Sequence, residues 1–267
     1  MGRQQGLVHL SGQFGDLRLS IAANGKPIAA FAPVRKGRVK RGRNYGLTRK
    51  NNAEFTGSAY CAQSLRRCMG ERIRDFSDRD LSARLLAMMH SVISLGQGRA
   101  GERSFDVLSH ASMFMHIEAN AGTPFGSRFQ APYTLTVNPA RNAVTLDVAA
   151  FATDHFLYCP QGATHFRLLL VAGILSDFVY VGGRRPYAPV NALLNGQSVV
   201  VSSLAIPAVN ATTSVLQLVA ALPGAPVMPS TAGLVVSVGI EFLRVINNYE
   251  EVMASGNGLK VVGFIEN

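Results

Sequence analysis

Tryptophan is absent from these 267 residues, and aromatic residues make up only 8% of them. The expected core is therefore aliphatic, built from Val, Leu, Ile and Ala. Cysteine is scarce and odd in number, at Cys61, Cys68 and Cys159. Cys61 and Cys68 stand seven apart in a stretch of helical pattern, which separates them by about 10 Å of helical rise. A disulfide needs Cα atoms within about 7 Å, and no Cys-x-x-Cys is present. The three read as small buried hydrophobes in a reducing compartment. No apolar run approaches the roughly 20 residues that span a bilayer; the longest is Leu168–Leu175. Residues 1–6 lack the apolar centre of a secretory leader, and Gly6 stands where a myristoylation signal has Ser or Thr. The expectation is cytoplasmic synthesis without a signal peptide and no membrane partner.

Signatures of catalysis are also missing. There is no Gly-x-Ser-x-Gly elbow and no Ser-x-x-Lys. His9, His90, His110, His116, His155 and His165 form neither His-x-x-x-His nor His-Glu-x-x-His. Gly96-Gln97-Gly98-Arg99-Ala100-Gly101 mimics part of a dinucleotide fingerprint, but it follows a helical pattern where the fingerprint needs a strand. No catalytic residue, metal ligand, cofactor or small-molecule substrate is expected, and the chain reads as not an enzyme.

What is present is charge of one sign in one place. Between positions 35 and 50 stand Arg35, Lys36, Arg38, Lys40, Arg41, Arg43, Arg49 and Lys50, with no acidic residue among them. A run this dense repels itself and exists to meet something negative. Residues 1–103 hold 19 Lys and Arg against 7 Asp and Glu, whereas 104–267 hold 7 against 9, so the net charge of +10 belongs to the N-terminal part. Arginine outnumbers lysine 21 to 5, which favours planar, bidentate contacts with carboxylate or phosphate. Tyr45 could stack on a base. The candidate binding residues for nucleic acid or a neighbouring subunit are thus Arg35, Lys36, Arg38, Lys40, Arg41, Arg43, Tyr45, Arg49 and Lys50. The opposite extreme lies in the second half, where Tyr187–Ile240 contains no Asp, Glu, Lys or Arg. Part of such a stretch must be core, and the remainder, such as 204–209 and 222–228, reads as surface buried against other copies.

Periodicity organises the rest into an α+β chain with two domains, 1–112 and 113–267. Leu7–Leu10 reads as a buried strand, and Leu17, Leu19 and Ile21 alternate with Arg18 and Ser20 as a half-buried one. Asn24-Gly25 is a hairpin turn leading into Pro27–Phe31, and the basic segment follows as an arm or loop. Phe55, Ala59, Ala62, Leu65, Met69, Ile73 and Phe76 mark one helical face, interrupted near Gly70. Ser77–Asp80 reads as a capping box for a second helix, which Gly96 closes, and residues 104–112 as a short third. Intrahelical ion pairs are expected for Glu71 with Arg67 and Arg74, and for Asp75 with Arg72 and Arg79. From 113 the expected strands are 113–117, 133–137, 143–148, 164–174, 198–206, 214–222, 234–242 and 260–265. Short strands between Gly, Pro and Asn turns make an antiparallel β-sandwich.

One further pattern is shared. Gly12-x-x-Gly15-Asp16, Asn24-Gly25-Lys26, Thr48-Arg49-x-Asn51-x-x-Glu54-Phe55 and Leu65-Arg66 resemble an uncharacterised protein family of Bacteroidota genomes and their mobile elements. Ala131–Thr134, the Pro160-x-Gly162-Ala163-Thr164-His165-Phe166 stretch and Val238–Phe242 are similar to it as well. The resemblance implies an N-terminal hairpin and a β-rich C-terminal half, and no activity.

These observations lead to a self-assembling structural protein: a phage-like filament, tube or capsid-like shell. Its partner is itself, as a homo-oligomer, and its basic arm touches neighbouring subunits or packaged DNA or RNA. Its final place would be a virion-like or filamentous assembly. The alternative is a non-assembling, sequence-independent nucleic-acid-binding protein.

Overall fold

The computed structural model describes residues 11–22, 25–31, 36–247 and 249–265. The expected strand at 7–10, Asn24 and Arg35 lie outside these residues. The chain divides into two compact units, 1–50 and 51–267.

In the first unit, β1 (Gly12–Phe14), β2 (Leu17–Ile21) and β3 (Pro27–Phe31) form an antiparallel meander in that order. Gly15 turns the chain between the first two with φ +60°, a conformation that costs a side-chain-bearing residue more than it costs glycine. The basic segment is helical, where an arm or loop was expected. It comprises α1 (Lys36–Arg41), a 3₁₀ turn at Arg43–Tyr45 and the start of α2 (Gly46–Cys68). The reason lies in Arg49, whose Nη1 donates to the carbonyls of Val39 (3.0 Å) and Gly42 (2.8 Å). Carbonyls at the end of a helix have no partner within it, and a guanidinium there satisfies them.

The second unit is built on two long antiparallel strands, β6 (His165–Ser176) and β12 (Ala232–Ile246). Before them come α3 (Ile73–Phe76), α4 (Leu81–Leu95), β4 (Tyr133–Val137), β5 (Ala143–Val148) and α5 (Thr153–Phe156). Between them lie β7 (Phe178–Tyr180), β8 (Tyr187–Pro189), β9 (Ser198–Ser202), β10 (Ile206–Pro207) and β11 (Leu216–Ala221). After them come β13 (Tyr249–Val252) and β14 (Gly258–Ile265). β6 and β12 pair from His165↔Leu243 to Ser176↔Ala232. β9 and β10 add to the outer edge of β6, while β14 and β13 add to that of β12. A second antiparallel sheet, β11-β5-β4, covers one face of this sheet, and the helices cover the other.

Two cores follow from the period-2 alternation of strand side chains. Phe166, Leu168, Leu170, Ala172 and Ile174 face the small sheet, meeting Val144, Leu146, Val148, Leu218 and Ala220. Leu169, Val171 and Leu175 face the helices, meeting Cys61, Leu65, Met69, Leu85 and Met89. Burial on both faces explains why β6 reads as an unbroken apolar run and not as an alternating one. The same covering explains why the helices bury their stripe on the β body.

Two glycines let the helical layer lie this close. Gly70 turns the chain between α2 and α3 with φ +96°. On β6, a Cβ at Gly173 would lie 2.5 Å from both the Cα and the carbonyl oxygen of Cys68. Backbone therefore rests almost directly on backbone, and Cys68 Sγ donates to the Ile174 carbonyl at 3.0 Å.

Several expectations are corrected. Residues 113–117 are not a strand: a 3₁₀ turn runs Leu108–Phe114, and the chain meets β14 just beyond it, through an isolated bridge of Glu118 with Lys260 and backbone bonds of His116, Ile117 and Ala119 to Val261 and Leu259. Phe55 is 54% exposed, off the buried stripe. Asp80, and not Ser77, precedes α4, and Asp78 Oδ1 accepts from the Asp80 amide (2.9 Å). Gly96 ends α4 in extended conformation (φ −65°, ψ 155°), not left-handed. The core is not purely aliphatic either. Phe105, Phe114, Phe166, Phe178 and Phe242 are fully buried. Phe125, Phe129, Tyr133, Phe151, Phe156 and Phe166 form a connected ring cluster, with centroids 5.5–6.4 Å apart.

Replacing Gly173 by Ala must push α2 away from β6. The expected cost is about 1–3 kcal/mol, the range for overpacking a close-packed core, measured as a lower midpoint in denaturant unfolding with unchanged slope.

Candidate functional site

The expected basic site is only partly assembled. Lys36, Arg38, Lys40 and Arg41 lie on α1, Arg43 and Tyr45 on the 3₁₀ turn, and Arg49 and Lys50 on α2. Lys40, Arg41, Arg43 and Lys50 are exposed, and Tyr45 is half-buried. Arg49 is committed to the end of α1 by its two carbonyl contacts. It therefore serves the segment's own shape.

The helical arginines divide into two groups. Arg72 meets Asp75 as expected, Nε to Oδ2 at 3.2 Å. Arg84 Nη1 donates to Asp78 Oδ2 (2.6 Å), and its Nη2 to the carbonyls of Glu118 (2.8 Å) and Ala119 (3.2 Å). Arg79 pairs with Asp80 at 3.6 Å instead of with Asp75. Glu71, expected to neutralise Arg67 and Arg74, forms no ion pair among the described residues. Arg66 donates to the Ser82 hydroxyl at 2.6 Å. Every carboxylate of the 75–80 stretch is thus taken, while Arg66, Arg67 and Arg74 have none among the described residues.

A buried carboxylate binds the layers together. Glu241 on β12 is fully buried, and Arg72 donates to its Oε1. Its Oε2 has no hydrogen-bond donor among the described residues, but Arg167 Nη1 stands 3.7 Å away on β6. Arg167 also contacts Glu250 of β13. The result is an alternating chain, Asp75–Arg72–Glu241–Arg167–Glu250, running from α3 across the sheet to its edge. Burial disfavours the Arg72 cation, but Glu241 and Asp75 more than offset it and raise its pKa. Sequence reading passed Glu241 over. The available signal was that it is the first charge after Arg185, 55 uncharged residues earlier, inside an apolar strand.

The remaining titratable groups serve packing. Glu54 is buried and accepts from the Gly101 amide (2.6 Å), with Arg103 at 3.8 Å. It fixes the Gly-rich loop that mimics a fingerprint. Cys61 and Cys68 are fully buried under the helices, and burial pushes the Cys68 thiol up to about 12 and Cys61 well above its usual value. His110 Nδ1 contacts the Asp106 carbonyl (2.9 Å), and His165 Nδ1 the Thr164 hydroxyl (3.0 Å). No helix among the described residues is long and apolar enough to cross a membrane.

The uncharged stretch leaves large aliphatic side chains in solvent at both ends of the β body. Leu193 (90% exposed) and Val227 (89%) lie where β6 finishes. Their loops are tied there by Asn195 Oδ1 accepting from the Ser176 amide (3.1 Å) and Arg141 Nη2 donating to the Met228 carbonyl (2.9 Å). Leu204 (87%) and Val209 (53%) lie where β6 begins. There the Leu168 amide donates to Ser203 Oγ (3.1 Å), and the Ala208 amide to the Thr164 carbonyl (2.9 Å).

Glu241→Gln removes the charge that both guanidiniums face. The expected destabilisation is about 3 kcal/mol, the low end for breaking a buried pair because Arg72 and Arg167 keep some contact with water; equilibrium unfolding measures it. Asp78 supplies a pH dependence. Burial works to raise its carboxyl, but the Ala121 amide and the Arg84 guanidinium outweigh it and hold the carboxyl below its usual value. A lowered folded value means stability that is present above the unfolded value and lost as pH falls through the folded one. Asp78→Asn is therefore expected to be less stable than the parent at neutral pH, the gap closing as pH drops below about 3.9. Unfolding curves across a pH series read this directly.

Comparison of the chain with protein-family models, with curated proteins and with solved structures gives no match.

Proposed function

We propose that this is a self-assembling structural protein whose copies join end to end through the β body. One observation carries the reading: aliphatic side chains exposed by 87–90% stand at both ends of β6, inside 54 residues without a charge. Leu193 and Val227 at one end, and Leu204 with Val209 at the other, are aliphatic surface that gains from burial when copies associate. The two ends differ in sequence, so a finishing end meeting a starting end makes a heterologous contact. Such contacts close into rings or run on as open filaments.

The basic segment adds a second contact. Lys40, Arg41, Arg43 and Lys50 are exposed, with no carboxylate between 35 and 50. This cationic face suits either the acidic surface of a neighbour or the phosphates of packaged nucleic acid.

The test is microscopy and sedimentation of the full chain. The parent should form particles or filaments whose amount rises with concentration. Leu193→Ser with Val227→Ser, or Leu204→Ser with Val209→Ser, should each abolish growth. Mixing the two doubly substituted proteins should yield dimers and stop there, because each retains one intact end. A parent that stays monomeric at its highest soluble concentration would defeat the proposal. Replacing Lys40, Arg41 and Arg43 by Ser separates the roles of the segment: loss of 260 nm absorbance with assembly intact assigns it to nucleic acid, and loss of assembly assigns it to the neighbour.

A further inference from the structure

The arginines left without carboxylates converge on one cleft. It has a volume of about 850 Å³ and lies between the last turns of α2, the Gly70 turn, α3 and the first turns of α4. Arg66, Arg67 and Arg74 line it, and Glu71 is the single carboxylate among the lining residues. The surrounding acids are engaged elsewhere: Asp75 with Arg72, Asp78 with Arg84, and Asp80 with Arg79. Neither Arg67 nor Arg74 has an ion-pair partner among the described residues.

Arg66 makes a contact at the cleft and the stem of Arg67 is backed by the chain, while Arg67 and Arg74 stand exposed. Arg66 donates to Ser82 at 2.6 Å. The stem of Arg67 lies along Gly196, where a Cβ would come within 3.3 Å of its Cδ and where φ is +80°. Guanidiniums with no carboxylate partner suit bidentate phosphate contacts. Ile73 and Leu85 form an apolar floor, and the half-buried Tyr60 adds an aromatic lining on which a base can stack. The volume exceeds the needs of a bare phosphate and falls within the roughly 300–1,000 Å³ of small-molecule sites.

We infer that this cleft binds a nucleoside phosphate, with Arg66, Arg67 and Arg74 on the phosphate and the apolar lining against the base. The phosphate ester belongs either to a free nucleotide or to the 5′ end of a single strand. This site is independent of the association of copies through the β ends. It is also separate from the basic segment at 35–50, whose contacts with nucleic acid would be made along the backbone.

The experiment is calorimetric titration of the full chain with three probes: adenosine 5′-monophosphate, inorganic pyrophosphate and a 5′-phosphorylated single-stranded oligonucleotide. The mononucleotide is expected to bind, and Arg67→Gln or Arg74→Gln to weaken it by about tenfold to a hundredfold, the range for losing a hydrogen bond to a charged group. Arg79→Gln, on a side chain 93% exposed and outside the cleft, should leave the affinity unchanged. Arg66 and Arg67 also sit where a cation stabilises the end of α2. A purely structural role would lower the unfolding midpoint of the unliganded variants without changing affinity, so both are measured. Tighter binding of the oligonucleotide than of the mononucleotide, with both lost in Arg67→Gln, assigns the cleft to a strand end; the reverse order assigns it to free nucleotide. The inference is overturned if no probe but the oligonucleotide binds and the cleft variants leave that binding intact. It also fails if no probe binds at all, or if Arg79→Gln weakens the mononucleotide as much as Arg74→Gln does.

Discussion

Everything in the second unit depends on the pairing of β6 with β12. The two strands run against each other over twelve residue pairs, and both faces of the pair are covered. A strand so placed has its backbone satisfied by neighbours and its side chains shielded from water, so nearly every position must be apolar. The one carboxylate in this region, Glu241, is tolerated because guanidiniums reach it from the helical connection and from β6. An ion pair in such a place is weak evidence for stability, because desolvation offsets much of the attraction. Its effect is on specificity: the Asp75-to-Glu250 chain is satisfied only when α3, β6, β12 and β13 are in register together.

What could be read from the sequence was the local part. β4 and β5 appear with the bounds their alternation and the turn between them give, since β4 alternates half-buried with exposed positions and β5 buried with half-buried ones. The break at Gly70 was legible because the residue interrupts a helical stripe. Misreadings arose where tertiary contacts decide. Residues 113–117 are apolar apart from His116, and the 3₁₀ turn takes up their first two positions, so that the chain meets the free edge of β14 only from His116 onward. The aromatic cluster was hidden because its members are scattered between 125 and 166 and meet only when the sheets close.

The candidate sites show the same division. A carboxylate three residues from an arginine on one helix can be predicted, and Arg72 with Asp75 was. That Glu71 would pair with neither Arg67 nor Arg74, and that Asp78 would choose Arg84 and Asp80 Arg79, could not. Charge is therefore concentrated where the helices meet solvent, and its absence is concentrated at the ends of the sheet. The two surfaces are physically different, one suited to anions and the other to apolar burial, so each can act without compromising the other.

Cys61 and Cys68 lie sealed between the helices and the sheet, and their raised pKa values keep them as neutral thiols. Thiol reagents attack the thiolate, so neither residue reacts while the helical layer is closed. Opening of that layer exposes them, so their labelling, set against that of the half-exposed Cys159, reports how often the layer lifts in the otherwise folded protein. The two buried sulfurs thus make the chain its own clock for local opening.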